Sequence, residues 1–304
     1  MKRLLPCLLS LTLIAGCAAG GTATTTPAPE HPADEVVVVM GPTSEPEAGF
    51  DPAFGWGAGE HVHEPLIQST LTVTNADLTI GYDLATDMSV SDDGLTWTVT
   101  IRDDVSFTDG EPLTAEDVAF TYNTVKATSS VNDFTMLSSA EAVDDTTVLF
   151  HMTTPYSIWP YTMAIVGIVP EHAYDSATYG SNPIGSGRYT LVQWDRGEQI
   201  ILEANPDYYG EAPKMKKVTI LFMEEDAAFL AVQAGQADLA YTSAVYADQS
   251  PAGYSLLSCE TVDNRGINLP TEGNPVTADL AVRRAINIGV DREEMIQNVL
   301  NGYG

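Results

Sequence analysis

The stretch DGLTWTVTIRDDVSFTDGEPLTAEDVAFTYN, residues 93–123, carries the strongest local folding signals of this sequence. After the turn at Asp93-Gly94, threonine alternates with apolar residues over 96–101, which is typical of a strand with one packed and one solvated face. A second turn at Asp109-Gly110 leads to Thr114, an N-cap residue followed three positions later by an acidic residue. The stretch therefore predicts a strand, a turn and a capped helix.

The flanking sequence extends this pattern to a mixed α/β fold. Turn residues at 144–145 and 195–197 lie between short runs of strand-forming residues and predict two hairpins. An apolar run at 36–40 predicts a strand covered on both faces. Strand, helix and strand signals follow one another over 217–241, an order that favours α/β packing over a β-sandwich. A capping signal at Asp291 predicts a last helix.

The composition is that of a folded, acidic protein. The chain has 304 residues, 44% of them hydrophobic, which suffices for a large core and two domains. Lys and Arg number 13 against 42 Asp and Glu, which gives a formal net charge of −29. Because such a surface repels phosphate backbones and anionic lipid head groups, we expect no nucleic-acid partner.

The first residues have the build of a secretory signal peptide. A basic start at residues 2–3 precedes an apolar run over 4–14, and two small residues come before Cys17. The run is about a dozen residues, shorter than the roughly 20 that a membrane-spanning helix needs. We expect residues 1–16 to be removed on export. The alternative is an ordinary signal whose cleavage site merely lies near a cysteine.

The end of this signal resembles the bacterial lipoprotein box, in which the cysteine becomes the first mature residue and carries the lipid. Cys17 is then a lipidation site, and residues 17–33, which are small, polar or proline, form a flexible tether. Since Cys7 leaves with the signal, the folded body retains only Cys259. No disulfide is expected within it.

Two short motifs point to enzymes, and both are incomplete. Gly185-Ser186-Gly187 lacks the outer glycines of a nucleophile elbow and the Lys-Ser/Thr pair of a P-loop, so we interpret it as a tight backbone turn. His61 and His63 could share a metal from one side of a strand, but Ile67 stands where a zinc-protease helix needs its second histidine. Two exposed or hydrogen-bonding histidines are the interpretation we favour for this pair.

Two aromatic residues, Phe54 and Trp56, lie in a glycine-containing segment outside any periodic face. Glycine lets a backbone approach another surface closely, and aromatic rings offer large contact areas. The segment is a candidate ligand contact, although core packing is the commoner role of any single aromatic residue.

Five segments together resemble the extracytoplasmic solute-binding proteins of ABC importers, in the large peptide/nickel-type family 5. Their order and spacing match from about Asp34 to the end of the sequence. The segments are DGLTWTVTIRDDVSFTDGEPLTAEDVAFTYN (93–123), PIGSGRYTLVQW (183–194), ANPDYYGEAPKMKKV (204–218), AGQADLAY (234–241) and AVRRAINIGVDREEMIQNVLNGYG (281–304).

The resemblance implies an α/β clamshell of two lobes, like the periplasmic binding proteins, with a subdomain inserted in the first lobe. The first lobe takes residues 34–50 and 166–262, and the inserted subdomain takes residues 51–165. The second lobe begins at 263 and is expected to be incomplete, because members of the family continue well beyond this length. Closure on a ligand would follow from tighter binding to the closed state.

The resemblance also implies a function without catalysis or cofactor. A monomer anchored by its lipid outside the cell membrane would capture oligopeptides and deliver them to an ABC permease and ATPase. Nickel or a metal chelate is the alternative ligand. It is disfavoured because no arginine lies between Arg102 and Arg188 to hold a chelate's carboxylates. A surface sensor or adhesin remains open, whereas a secreted hydrolase lacks an evident nucleophile, base or complete metal motif.

By the same resemblance, six residues are expected to face the ligand, and Arg265 among them would pair with a ligand carboxylate. The six are Phe54, Trp56, Phe134, Asn264, Arg265 and Gly266.

Overall fold

The computed structural model describes residues 32–54, 65–129, 133–251, 253–258 and 266–303. These residues form a mixed α/β fold, as the sequence predicts. The strands are β1 (Glu35–Met40), β2 (Thr72–Thr74), β3 (Ile80–Tyr82), β4 (Ala85–Val90), β5 (Thr96–Ile101), β6 (Leu137–Asp144), β7 (Thr147–Met152), β8 (Tyr189–Asp195), β9 (Gln199–Ala204), β10 (Lys217–Phe222) and β11 (Leu239–Ala240). The α-helices are α1 (Ala115–Thr128), α2 (Trp159–Met163), α3 (Glu225–Gln233), α4 (Leu280–Gly289) and α5 (Arg292–Val299).

A five-stranded sheet with the order β11-β1-β10-β9-β8 contains the first strand of the chain. β1 is parallel to both of its neighbours, β10 and β11, whereas β8 and β9 form an antiparallel hairpin. Val39 is fully buried against α3, where it packs with Ala228 and Val232. The predicted strand at 36–40 is confirmed, but only Val39 is fully covered; the other residues of β1 are half-buried.

A four-stranded antiparallel sheet, β4-β5-β7-β6, is covered by α1. The predicted alternation of β5 is confirmed, because Val99 and Ile101 are buried in the core while the threonines of the strand are half-buried. The predicted helical spacing is confirmed as well. Val118, Tyr122 and Val125 of α1 are buried, and the Tyr122 ring meets Phe134 and Phe150 edge-on.

The capping signal at Thr114 forms as predicted, and it also joins two parts of the chain. The Thr114 N–H donates to one carboxylate oxygen of Asp117 at 2.9 Å. The other oxygen of Asp117 accepts the N–H of Glu171 at 2.9 Å. Asp117, which is 7% exposed, therefore fixes both the start of α1 and the segment that leads towards β8.

Residues 66–67 lie against residues 185–189, the segment that leads into β8. The N–H groups of Gly187 and Tyr189 donate to the carbonyls of Ile67 and Leu66 at 2.8 and 2.9 Å. A Cβ atom on Gly185 would lie 2.0 Å from the Ile67 carbonyl oxygen, so only glycine fits there. The predicted tight turn at Gly185-Ser186-Gly187 is corrected: Gly185 and Ser186 lie in no turn, and the segment runs beside residues 66–67 into β8 because its N–H groups pair with that neighbouring backbone.

Near the end of the described chain, α4 and α5 begin at aspartate N-caps. Asp279 accepts the N–H of Ala281 at 2.7 Å, and Asp291 accepts the N–H of Glu294 at 2.9 Å, as predicted for the last helix. Neither helix contains a buried residue. Among the helices that the structure describes, none is long and apolar enough to span a bilayer.

The strands of the five-stranded sheet come from residues 35–40 and 189–240, whereas the strands of the four-stranded sheet come from residues 85–152. The proposed domain boundaries, at 50, 165 and 262, stay a prediction.

Candidate functional site

The parallel strands of the five-stranded sheet end side by side. The Tyr241 N–H donates to the Val39 carbonyl, and the Met223 N–H donates to the Met40 carbonyl, each at 2.9 Å. The residues that follow β1, β10 and β11 therefore share one edge, and in α/β sheets ligands bind at the carboxyl ends of the strands. Tyr241 at this edge is 59% exposed. No sequence pattern marks Tyr241 as a site residue, because a lone tyrosine after a two-residue strand has no spacing signal.

The chain leaves this edge through residues 41–54, which we call the β1 loop. Its backbone lies directly on another segment: the Phe50 N–H donates to the Gly180 carbonyl at 2.8 Å. A Cβ atom on Gly49 would lie 2.3 Å from the same carbonyl oxygen, and the φ of Gly49 is +83°. Both the contact and the dihedral angle require glycine at this position.

A second anchor joins the β1 loop to the β8–β9 hairpin. The Glu45 carboxylate accepts the indole N–H of Trp194 at 2.8 Å and the backbone N–H of Gly197 at 2.9 Å. The Phe50 ring meets Trp194 edge-on with the ring centroids 5.4 Å apart, and the Arg196 guanidinium lies 4.0 Å from the Trp194 centroid. Glu45 and Phe50 thus fix both ends of the loop's central part.

The third anchor is the carboxylate of Asp51, which is only 2% exposed. One oxygen accepts the Ala53 N–H at 2.9 Å, and the other accepts the Tyr174 hydroxyl at 2.9 Å. Burial raises the pKa of Asp51, and these two hydrogen bonds oppose the rise. Burial, together with the hydrogen bond to Asp51, also raises the pKa of Tyr174, so its hydroxyl stays a donor at neutral pH.

Phe54 follows directly on this anchored turn. Its N–H donates to the Asp51 carbonyl at 3.1 Å, and its side chain is 39% exposed. A large apolar ring is therefore held in contact with water by a rigid backbone, which is the arrangement that a ligand contact needs. Trp56, His61 and His63 lie outside the described residues.

Phe134 does not share this exposure. Its side chain is 4% exposed, and its ring lies 6.0 Å from Trp159 and 6.2 Å from Tyr122, both edge-on. The expectation that Phe134 faces the ligand is corrected, because its ring is enclosed in the core under the four-stranded sheet.

The segment expected to cross between the lobes is described only in part. Gly266 is exposed, and a Cβ atom added there would have no neighbour within 4 Å. Asn264 and Arg265 lie outside the described residues, as does Cys17. Their assignment as ligand contacts and lipidation site therefore stays a prediction.

A polar cluster forms around the carboxylate of Asp83. The Tyr209 hydroxyl donates to Asp83 at 2.5 Å, the Thr70 N–H donates to the other Asp83 oxygen at 3.2 Å, and the Arg102 guanidinium lies 4.9 Å from the Tyr209 centroid. Burial and the nearby Asp83 charge raise the pKa of Tyr209. The cluster joins residues far apart in the chain without an exposed reactive group, which fits a structural role.

Within the part of the chain that the structure describes, no group of three or more His, Cys, Asp or Glu side chains could hold a metal ion.

The family model described as "Bacterial extracellular solute-binding proteins, family 5 Middle" matches residues 79–304. Among curated relatives, the chain is 34% identical over 283 residues to Protein XP55 of Streptomyces lividans. This match covers 88% of the chain and 50% of the relative. The chain thus spans half of the length of that relative.

Two solved structures carry the same fold. NikZ from Campylobacter jejuni, in complex with Ni(L-His), matches with a TM-score of 0.80 and 26% identity, over 90% of this chain and 56% of that one. The oligopeptide-binding protein AppA of Bacillus subtilis, in complex with a nonapeptide, matches with a TM-score of 0.72 and 27% identity, over 88% and 56%. The predicted mixed α/β fold of the two-lobed binding proteins is confirmed by these likenesses.

Proposed function

This chain belongs to the family 5 bacterial extracellular solute-binding proteins, and on that premise we propose that it is the substrate-binding component of an ABC importer, with oligopeptides as its ligands. It captures them outside the cell and delivers them to a membrane permease driven by an ATPase. It acts by binding and not by catalysis.

The observation that carries the proposal is the rigid β1 loop at the carboxyl edge of the parallel strands. Three anchors, at Glu45, Gly49 and Asp51, hold this loop, and the exposed ring of Phe54 follows directly on the third anchor. A preformed apolar contact lowers the entropic cost of ordering on binding. We propose that Phe54, Trp56, Asn264, Arg265 and Gly266 contact the ligand.

Two observations favour peptides. The AppA structure that the chain resembles holds a nonapeptide. The stretch between Arg102 and Arg188 also lacks the arginine that would pair with a chelate's carboxylates. The likeness to NikZ, which was solved with Ni(L-His), supports the second candidate, a nickel chelate.

Native mass spectrometry of the full-length protein, purified from its own host, separates the two candidates. We expect a ladder of peptide masses that disappears on partial unfolding and dialysis. A bound nickel or chelate mass would replace the peptide proposal by the second candidate. A protein that is consistently empty, and that binds neither a mixed nonapeptide library nor Ni(L-His) in calorimetry, would reject both.

For Arg265, the test is the affinity of a peptide with a free carboxyl end compared with its amidated form. Arg265→Ala should remove the preference for the free carboxylate, because the guanidinium fork pairs with both of its oxygens. Arg284→Ala, an exposed arginine on α4, is the matched control and should keep the preference. An unchanged preference in Arg265→Ala would show that Arg265 does not bind the carboxylate.

We also propose that Cys17 carries a lipid that keeps the protein at the membrane. Cys17→Ser should move the protein from the membrane fraction to the soluble fraction of the host, because residues 18–33 contain no large apolar side chain that could hold the protein in a bilayer. Cys259→Ser is the matched control and should stay with the membrane. A Cys17→Ser protein that still fractionates with the membrane would refute lipidation at this residue.

A further inference from the structure

A groove of about 580 Å³ runs between α1 and the edge strand β6. Small side chains form much of its wall, so a partner backbone can approach closely. The residues that line this α1 groove are Glu116, Ala119, Phe120, Asn123, Thr124, Ala127, Thr128, Ala140, Glu141, Ala142 and Glu171.

Inside the groove, the backbone of edge strand β6 is already hydrogen-bonded at Ala140 by the side-chain amide of Asn123. The Asn123 side-chain amide donates to the Ala140 carbonyl at 2.8 Å, and its oxygen accepts the Ala140 N–H at 2.9 Å. An added strand would make the same pair of hydrogen bonds with its own peptide groups. Asn123 therefore covers one position of the free β6 edge in the way that a neighbouring strand would.

The next position along this edge is Ala142. Ala140, Glu141 and Ala142 pair in regular register with Phe150, Leu149 and Val148 of β7. In a regular strand the N–H and C=O of alternate residues point to the same side, so those of Ala142 point outward like those of Ala140. Ala142 also lines the groove. An extended segment lying in the groove could pair with β6 at this residue.

The negative charge around the groove favours a positively charged partner. Glu116, Glu141 and Glu171 line it, and residues 65–171 contain 16 Asp and Glu against two basic residues, Arg102 and Lys126. A second copy of this acidic chain would be repelled, and so would an anionic bilayer. A segment that carries Lys or Arg would be attracted.

We propose that the α1 groove docks an extended, basic segment of the ABC permease, which adds a strand to the edge of β6. The groove follows α1 from Glu116 to Thr128, about 18 Å at 1.5 Å per residue. This length accommodates about five residues in an extended conformation. The inference rests on the proposed function, since it takes the permease as the partner.

The first test places a photo-activated cross-linking residue at Thr128 of the lipidated, full-length protein in its host. Val192, 52% exposed on β8, is the control position. We expect Thr128 to cross-link to a permease subunit, identified by mass spectrometry, and Glu116→Gln with Glu171→Gln to reduce the yield at least threefold.

Cross-links to the permease from Val192 alone would overturn the groove assignment and leave the proposed function intact. Cross-links from Thr128 only to a second copy would also overturn it. No permease cross-link from either position, together with no ligand binding, would reject the proposed function as well.

The second test measures strand addition directly. The probe is an acetylated, amidated pentapeptide with lysine at positions 1, 3 and 5 and valine between them. Its binding is followed by fluorescence anisotropy with an excess of an unlabelled mixed nonapeptide library, which occupies the proposed oligopeptide site. Ala142→Pro removes the outward N–H and leaves the β6–β7 ladder intact, so we expect at least tenfold weaker binding. Ala142→Ser, which keeps the N–H, should stay within threefold of the original affinity.

A glutamate version of the pentapeptide should bind at least tenfold more weakly than the lysine version. Equal binding of the two peptides, or lysine-peptide binding that survives Ala142→Pro, would contradict docking at β6. If thermal melting shows that Ala142→Pro does not fold, Glu116→Gln with Glu171→Gln replaces it. Unchanged affinity in that double variant would contradict the inference equally.

Discussion

At the scale of single residues, Asp51 combines burial with a charge, and this combination makes its contribution to stability depend on pH. Its pKa is raised in the folded chain above 3.8, so the folded state binds more protons than the unfolded state between those two pKa values. Its contribution to the free energy of unfolding is therefore complete below 3.8 and is lost as the pH rises through the folded pKa. The stability advantage of the natural protein over Asp51→Asn, measured by urea unfolding, should thus shrink as the pH rises from 3.8 through the raised pKa of the folded state.

Asp93 provides a control of opposite sign. It is exposed and accepts the Ser91 hydroxyl and the Leu95 N–H, and these bonds lower its pKa below 3.8. Its contribution is present above 3.8 and is lost as the pH falls through the folded pKa. The advantage of the natural protein over Asp93→Asn should therefore grow as the pH rises to 4. If both variants showed the same pH trend, burial would not be the cause at Asp51.

Gly49 is predicted to be the least replaceable residue of the β1 loop. Gly49→Ala places a Cβ atom 2.3 Å from a backbone oxygen and also requires a positive φ. Gly110→Ala, with a φ of +93° and no neighbour within 4 Å, requires only the positive φ. We expect about 1 kcal/mol of destabilisation for Gly110→Ala from the left-handed conformation and at least about 2 kcal/mol more for Gly49→Ala. Equal losses in urea unfolding would show that the loop moves away from residue 180 without cost.

At the scale of elements, the start of α1 and the segment before β8 depend on one carboxylate, that of Asp117. Asp117→Ala leaves the N–H groups of Thr114 and Glu171 without their acceptor in a mostly buried setting, so we expect about 2–3 kcal/mol of destabilisation. Asp279→Ala removes a cap at an exposed helix and should cost about 1 kcal/mol. The comparison is made by urea unfolding at neutral pH. A smaller loss of stability in Asp117→Ala than in Asp279→Ala would contradict the proposal that Asp117 holds the start of α1 and residue 171 together.

The elements that the sequence predicts are those whose signals are local. β5, α1 and the β8–β9 hairpin carry alternation, capping or turn residues within a few positions of each other, and all three form. The hairpin of β2 and β3 has only three residues in each strand, too few for a periodic pattern. Helix α2 has five residues, with proline in its first turn and three of its side chains buried, so no helical face stands out.

Residues of the candidate site could be predicted only where neighbouring residues in the sequence determine whether a side chain is exposed. Phe54 lies in a segment rich in turn residues and is exposed, as expected of a ligand contact. The burial of Phe134 depends on Tyr122 and Trp159, which come from a helix before it and a helix after it. The Asp51–Tyr174 hydrogen bond joins residues 123 positions apart. No local pattern encodes such contacts, which exist only once the chain has folded.

At the scale of the whole molecule, the large negative net charge destabilises the folded state. A formal net charge of −29 concentrates like charges when the chain folds, and the repulsion lowers the free energy of unfolding. Salt shortens the Debye length from about 10 Å at 0.1 M to about 3 Å at 1 M. It also weakens surface ion pairs such as Arg102 with Asp104, but such pairs contribute at most about 1 kcal/mol. Relief of the repulsion should therefore dominate.

We accordingly expect the free energy of unfolding to rise as sodium chloride is raised from about 0.1 M to about 1 M. Urea is the required denaturant, because guanidinium chloride is itself a salt. Choline chloride at the same ionic strength is the control, and an equal gain in both salts indicates screening rather than binding of sodium. A fall in stability with either salt would mean that attractive ion pairs outweigh the repulsion. The folded protein would then tolerate its large excess of acidic residues because they form local ion pairs, and not because they are widely spaced over the surface.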